Sequence, residues 1–421
     1  MSKSNLKKKV LCSLLAASVF GVMYNPNAEA AKVNGTELKP AEDGIVTITD
    51  QDLLDAGSKK FIFGQGDTIK LVTKGDVNQL IKDLQQAVHA QDKVAAIREA
   101  LAKNAVVGVI GGEGQLDTGL TGLLENKTVS SSLNGKGIPV DKILNIDTAQ
   151  KTDNLIKDGS TNIIIGSEDT SSVVIGVVGG DLSVNTGLNG KLLGGLLGSF
   201  SAQPTSITRN GDTNVTVNNG NVLGGVGGSA AIAAGNITAD FGLFANIKLN
   251  GKTITTINGD SNLTVKDGAN VAGWANGGLA MGIGGTATSI VNGDSNIIID
   301  SNVKTDGALD GITAGIAGGG TAVTTIGGTA LTEVGNVNIS VNNGLSAGII
   351  GGGMAAAVDA AGLLGKGNDA GYSDITDEQL EALLGMNGGI PNGEIIINGA
   401  IEGGNATSKT GDTNLVFTGN T

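Results

Sequence analysis

The sequence predicts an all-β solenoid of short strands wound on one another, with a small α+β N-terminal cap and one helical insertion. Composition is the first observation: 70 of 421 residues are Gly, only 5 are Pro, aromatics are 2%, yet 40% are hydrophobic. Such a chain has aliphatic side chains to bury, which low-complexity disorder rich in Gly, Pro and Ser does not. The second is a change of texture near residue 105, after which short aliphatic runs alternate with Gly, Asn, Asp and Thr. The third is a recurring unit.

The unit is clearest in NGDTNVTV (210–217), NGDSNLTV (258–265) and NGDSNIII (292–299), with looser copies DGSTNIII (158–165), VGNVNISV (334–341) and TGDTNLVF (410–417). Each joins a turn to a strand whose alternate residues are aliphatic. Gly211, Gly259, Gly293 and Gly411 are expected to take positive φ at a corner, with Asp212, Asp260, Asp294 and Asp412 tolerating the turn beside them. Asn214, Asn262, Asn296 and Asn414 at equivalent positions predict a stacked amide ladder. The final Asn of each unit falls at 162, 214, 262, 296, 338 and 414, in steps of 52, 48, 34, 42 and 76. These steps predict about two turns of roughly twenty residues per unit, hence about fifteen turns and a rod of roughly 70 Å. Gly/Ala-rich stretches after each strand predict a face of low relief.

Residues 31–104 read as a capping region for the solenoid end, since an open end exposes unpaired backbone and apolar cross-section. Within it, Leu80, Ile81, Leu84, Val88, Ala95, Ile97 and Leu101 recur at helical spacing and predict one amphipathic helix over about 77–103, capped by Asp76. Residues 105–421 are the repeat region. It is interrupted at about 368–386 by a polar insertion with a short helix, in which Thr376 and Gln379 form a capping box and Gly385 ends the turn.

Residues 1–30 read as a secretory signal: Lys3, Lys7, Lys8 and Lys9, an apolar run over 10–22, then Ala28-Glu29-Ala30. Its run is too short to span a bilayer. Cys12 is the only cysteine, so the mature chain has no disulfide to constrain it and stability must come from packing and backbone ladders. The formal charge is −13 and becomes more negative once the four signal lysines are removed. That balance, with arginine confined to Arg98 and Arg209, excludes a phosphate-neutralising surface, so no nucleic acid partner is expected.

With this export signal, the NGDTN and NGDSN turns and their Asn-rich, aromatic-poor, cysteine-free surroundings, the chain resembles the passenger regions of type V autotransporters and related β-helical adhesins of Gram-negative bacteria. The likeness covers roughly 105–421 and lies in texture. It implies a right-handed parallel β-helix at the cell surface, delivered through an outer-membrane β-barrel translocator. The alternating strands of such a barrel are not read before Thr421, so the chain is a piece of a longer protein or is exported by another route.

Chemistry by the usual side chains is thinly provided. His89 is the only histidine, so no Ser/His/Asp triad and no multi-histidine metal site can be assembled. The aspartates at 212, 260, 294 and 412 occupy one place in successive copies, which a corner role explains and a unique catalytic pair does not. GGEGQLDTG at 111–119 misplaces its Asp for a calcium nonapeptide. The uncharged stretches 271–291 and 311–332 reach membrane-spanning length but sit in the repeat slot and read as strands. Trp274 reads as core filling. No catalytic residue, cofactor or metal ligand is therefore assigned. The expected function is a non-catalytic stalk or adhesin-like passenger, secreted to the cell surface, whose partner is a surface receptor, a glycan or another copy. The alternatives are a polysaccharide-active β-helix enzyme and a self-associating envelope or matrix protein.

Overall fold

The computed structural model describes residues 31–33, 36–55, 61–117, 155–156, 159–192, 198–201, 205–240, 245–301, 311–358, 374–375, 393–397 and 404–418. Among the described residues, four sheets, built mainly of parallel strands, share one coiling chain, and helix is found at Asp50–Asp55, Val77–Ala87 and Lys93–Asn104. The chain visits the sheets in a fixed order. In one circuit Ser261–Lys266 lies in a signature sheet, Asn270–Ala275 in a second, Leu279–Ile283 in a third and Thr286–Val291 in a fourth, before Ser295–Asp300 returns to the first.

Register corrects the expected turn length. Asn162, Asn214, Asn262, Asn296, Asn338 and Asn414 are successive parallel partners, so each unit is one rung and not two. Between Asn262 and Asn296 a rung is four-sided and takes 34 residues. Eight strands stack in the signature sheet, which spans about 35 Å at the usual strand spacing. Twenty residues fit a two- or three-sided coil, and the fourth side absorbs the rest.

Each side has its own sequence logic. Signature strands alternate buried and half-exposed residues, and Val215, Val217, Leu263, Val265, Ile297, Ile299, Ile339 and Val341 point inward almost fully buried. In the second sheet the inward residues are three apart, as in Val271 and Trp274 or Thr313 and Ile316, because a glycine kinks the strand between them. Gly273, Gly315 and Gly348 repeat that kink with φ of 66°, 65° and 65°. A Cβ on Gly315 would meet nothing nearer than 3.5 Å, so the left-handed backbone and not crowding demands glycine there. The third and fourth sheets are lined by small residues: Ala231, Ala233, Ala280, Ala287, Ala322 and Ala330 form one buried cluster, with Ser183 hydrogen-bonded to Thr253 beside it. The interior thus has a bulky aliphatic lobe between the first two sheets, closed by Ile257, Val291 and Val334 at the ends of the fourth-sheet strands, and a thin Ala/Ser/Thr lobe between the third and fourth.

Parallel stacking reaches back into 31–104, since Ile45–Thr49 and Thr68–Val72 are already rungs of the signature sheet and Phe61–Phe63 joins the second. Lys32–Val33 and Thr36–Glu37 run antiparallel along that sheet's end. The single helix expected over 77–103 is two helices, Val77–Ala87 and Lys93–Asn104, separated at 88–92. The break has a packing cause: Leu80, Leu84 and Leu101 meet in one cluster with Ala105, Val173 and Ile175, whereas 21 residues of straight helix would hold Leu80 and Leu101 about 30 Å apart. Asp76 caps the first helix as expected, accepting from the Gln79 N–H at 3.0 Å.

Between the third and fourth sheets the chain makes excursions that pair with one another. Ala230–Asp240 runs in the coil over its first half and then continues outward, pairing antiparallel with Ala245–Asn250 and Gly393–Ile397. Leu188–Leu192, Gly198–Ser201 and Asp374–Ile375 complete this flanking sheet. Of the insertion at 368–386 only Asp374–Ile375 is described; its helix over Thr376, Gln379 and Gly385, like the signal at 1–30, lies outside the described residues. The stretches 271–291 and 311–332 are strands and turns, and among the described residues no helix is long and apolar enough to cross a membrane.

Candidate functional site

The signature residues are brought together in two columns along one edge of the coil. In the first, Asp212 Oδ1 accepts from the Asp260 N–H at 2.9 Å, Asp260 Oδ1 from Asp294 at 2.8 Å, Asp294 Oδ1 from Asn336 at 2.9 Å, and Asn336 Oδ1 from Asp412 at 3.0 Å. The carboxylates of Asp212, Asp260 and Asp294 therefore each hold the backbone of the next rung, and the Asn336 amide continues the column. The second column is the amide ladder, with Asn262 donating to Asn214 at 2.9 Å, Asn296 to Asn262 at 2.9 Å and Asn338 to Asn296 at 3.0 Å. It lies one residue into the strand and not at the corner. Asn414 stands in register at its end.

The signature glycines serve a different purpose from the one expected. Positive φ is found at neither Gly211 nor Gly259, Gly293 or Gly411. A Cβ on Gly259 would instead overlap the Asp212 carboxylate, one on Gly293 would overlap that of Asp260, and one on Gly411 would come within 2.8 Å of Asn336 Oδ1. At Gly259 and Gly293 glycine is needed because the acid of the rung before occupies its side-chain space, and at Gly411 the Asn336 amide takes that place.

His89 is exposed at the break between the helices. Trp274 is 1% exposed and donates its indole N–H to Asn276 Oδ1 at 3.0 Å, so it fills the core and presents no stacking platform.

A further constellation lies where the second sheet turns into the third. The corner column there reads Glu113, Asp181, Ser229, Gly278, Gly320 and Gly353 in successive rungs, following the register of the adjoining strands. Asp181 is 2% exposed, and its Oδ1 accepts from the Glu113 N–H at 2.8 Å and from Asn210 Nδ2 at 3.0 Å. Ser229 Oγ accepts the Asp181 N–H at 3.1 Å in the same manner one rung on. Asn210 ends a strand of the fourth sheet, where the following rungs place Ile257, Val291 and Val334. Glu113, Asp181 and Asn210, with Gln65 and Arg209, line a cavity of about 30 Å³, room for one water-sized occupant.

Burial pushes the Asp181 carboxyl up to about 7. The bonds from Asn210 and the Glu113 backbone only partly offset it, and the Glu113 charge pushes it further up. Such a cavity can hold a proton, a water or a small ion. It is far smaller than the few hundred Å³ of a typical small-molecule pocket. Sequence reasoning missed Asp181, Glu113 and Asn210. The signal was present in the aligned corners GGE, GGD, GGS, NGG, GGG and GGG at 111–113, 179–181, 227–229, 276–278, 318–320 and 351–353, where acids replace glycine in two copies. Among the described residues no three His, Cys, Asp or Glu side chains cluster as a metal site.

Comparison with known proteins gave no family model, no curated protein and no solved structure that matches the chain.

Proposed function

We propose that this chain is an exported, non-catalytic stalk of right-handed parallel β-helical type, displayed at a bacterial surface in the manner of an adhesin-like autotransporter passenger. The observation carrying this reading is that the recurring polar residues are consumed by rung-to-rung hydrogen bonds, as in the Asp212, Asp260 and Asp294 column. A repeat whose recurring polar chemistry is mechanical builds length and rigidity, leaving recognition to whatever projects from the flank. The antiparallel sheet leaving the coil near Gly235 is such a projection. Right-handedness rests on the general rule that connections between parallel strands of one sheet coil that way. Residues 1–30 and the acidic balance accord with passage through a membrane and solubility outside it.

The partner is then a surface receptor, a glycan or a second copy, and an outer-membrane β-barrel is the expected translocator. Expressing the full chain in a Gram-negative host and digesting intact cells with protease tests the localisation: loss of the protein from the cell surface or its recovery from the medium is expected, and full protection in the cytoplasm contradicts it. Attachment to immobilised glycans and host-cell matrix, measured with and without the Gly393–Ile397 strand, tests the flank, and unchanged attachment counts against it.

A further inference from the structure

The coil is flattened, because the corner between the second and third sheets touches the corner between the fourth and first across the interior. Ser261 Oγ donates to the Asn276 carbonyl at 2.5 Å, and Ser295 Oγ to that of Gly318 at 2.6 Å. The second and third sheets therefore lie side by side on one broad side, and the fourth and first on the other. Charge divides the same way. Residues 173–180, 220–235, 269–285, 311–328 and 344–358 hold the second-sheet strands from Val173 on, the third-sheet strands from Ala230 on and the corners joining them, and they contain no Asp, Glu, Lys or Arg. The opposite side carries Lys252, Glu333 and Lys409 on its fourth-sheet strands and Lys266 and Asp300 on its signature strands.

The neutral side also places its larger residues outward. In Leu279–Ile283 the small Ala280 and Gly282 are buried inward, and Met281 stands half-exposed between them. Its register partners Ile232 and Val323 are placed alike, giving a column of apolar side chains on the outer surface. On the second sheet Leu223 is 42% exposed. One rung earlier its place is held by Ile175, and there the helix pair covers the sheet, with Leu80, Leu84 and Leu101 packed against Val173 and Ile175. The chain thus covers this side with its own apolar residues at the early rungs. Among the described residues, no element packs over the four rungs that follow. Exposed apolar surface of this extent marks an interaction site.

We propose that the bare neutral side binds a second copy of the chain, side against side about a two-fold axis perpendicular to the coil. The strands Asn270–Ala275 and Leu279–Ile283 give its width and four rungs its height. At the usual residue and strand spacings this is about 36 Å by about 19 Å, roughly 700 Å² per copy, close to the roughly 800 Å² that one partner of a stable complex buries. Charge selects the occupant. At a net −13 two copies repel through their other surfaces, and on this side they meet without like charges opposed. The two-fold contact sets the column of Ile232, Met281 and Val323 against the same column of the partner copy. It also places the helix pair of each copy beyond the late rungs of the other, so the helices do not obstruct the contact. Naming a second copy specifies the partner within the proposed function but does not depend on export. Dimerisation is read on purified protein and surface display on intact cells, so either can fail alone.

The test is analytical ultracentrifugation of the whole purified chain across a concentration series, at low and high salt. A reversible dimer is expected that holds or tightens as salt rises, because screening weakens the repulsion between two acidic copies and no ion pair joins them. Met281→Lys and Val323→Lys should each weaken it by about tenfold or more. Ile298→Lys, at a residue 45% exposed on the charged side, should leave it unchanged. A dimer that survives both substitutions, is lost with Ile298→Lys, or dissociates in high salt overturns the proposal. So does a chain that stays monomeric at every concentration; if that monomer floats with neutral phosphatidylcholine vesicles, the side is a lipid-binding surface instead. Should circular dichroism show that Met281→Lys does not fold, Leu223→Lys decides by the same criteria.

Discussion

At the residue scale, the corner of each rung shows why a glycine and an aspartate travel together through a degenerate repeat. The Asp260 carboxylate occupies the place where a Cβ of Gly293 would stand, and it holds the Asp294 N–H while doing so. Gly293→Ala should therefore lower stability by about 2 kcal/mol in urea unfolding, in the range of overpacked interior sites. Gly159→Ala, where a Cβ would meet nothing within 4 Å, should change it little. Equal effects at the two positions would contradict the crowding account. Asp181 makes a second prediction at this scale. Its folded-state carboxyl is raised from 3.8 to about 7, so the protonated form is favoured on folding; the stability this contributes is present below about pH 4 and lost as pH rises through about 7. The loss between pH 4 and pH 8 should be about 4 kcal/mol, and Asp181→Asn should flatten it. A wild-type profile identical to that of the variant would show that the buried carboxyl does not titrate in this way.

At the scale of the element, legibility followed periodicity. The signature strands were readable because their inward face repeats every second residue: Leu263 and Val265, then Ile297 and Ile299. The strands carrying Ala231, Ala280 and Ala322 were seen only as low-relief Gly/Ala stretches, since alanine buried in a thin lobe leaves no aliphatic alternation to detect. The second sheet hid its rule behind the kink at Gly273, which shifts the inward residues to a spacing of three. The helical region was recognised but not its break, because heptad-like spacing continues across 88–92 while the reason for folding back, the shared contact of Leu80, Leu101 and Val173, is tertiary. The cavity went unread for a related reason. Glu113 and Asp181 are 68 residues apart and become neighbours only once the corners are aligned rung by rung.

For the whole molecule, the arrangement is nearly one-dimensional: each rung is held by the rung before and the rung after, through four sets of parallel ladders and the Asp and Asn columns. Stability in such a stack is a sum over neighbouring interfaces, and no disulfide or large aromatic core is required for it. The exposed residues at one end agree with this. Leu415 and Phe417 are 41% and 52% exposed, whereas their register partners Ile339 and Val341 beneath them are buried. The central claim is that one signature makes one rung. It is tested most directly by the distance between spin labels at Ile164→Cys and Val416→Cys, with Cys12→Ser, measured by pulsed electron resonance. These outward positions lie five rungs apart in the same sheet. A backbone separation of about 24 Å is predicted from the strand spacing; a separation near 48 Å, the value for two turns per signature, would contradict the account.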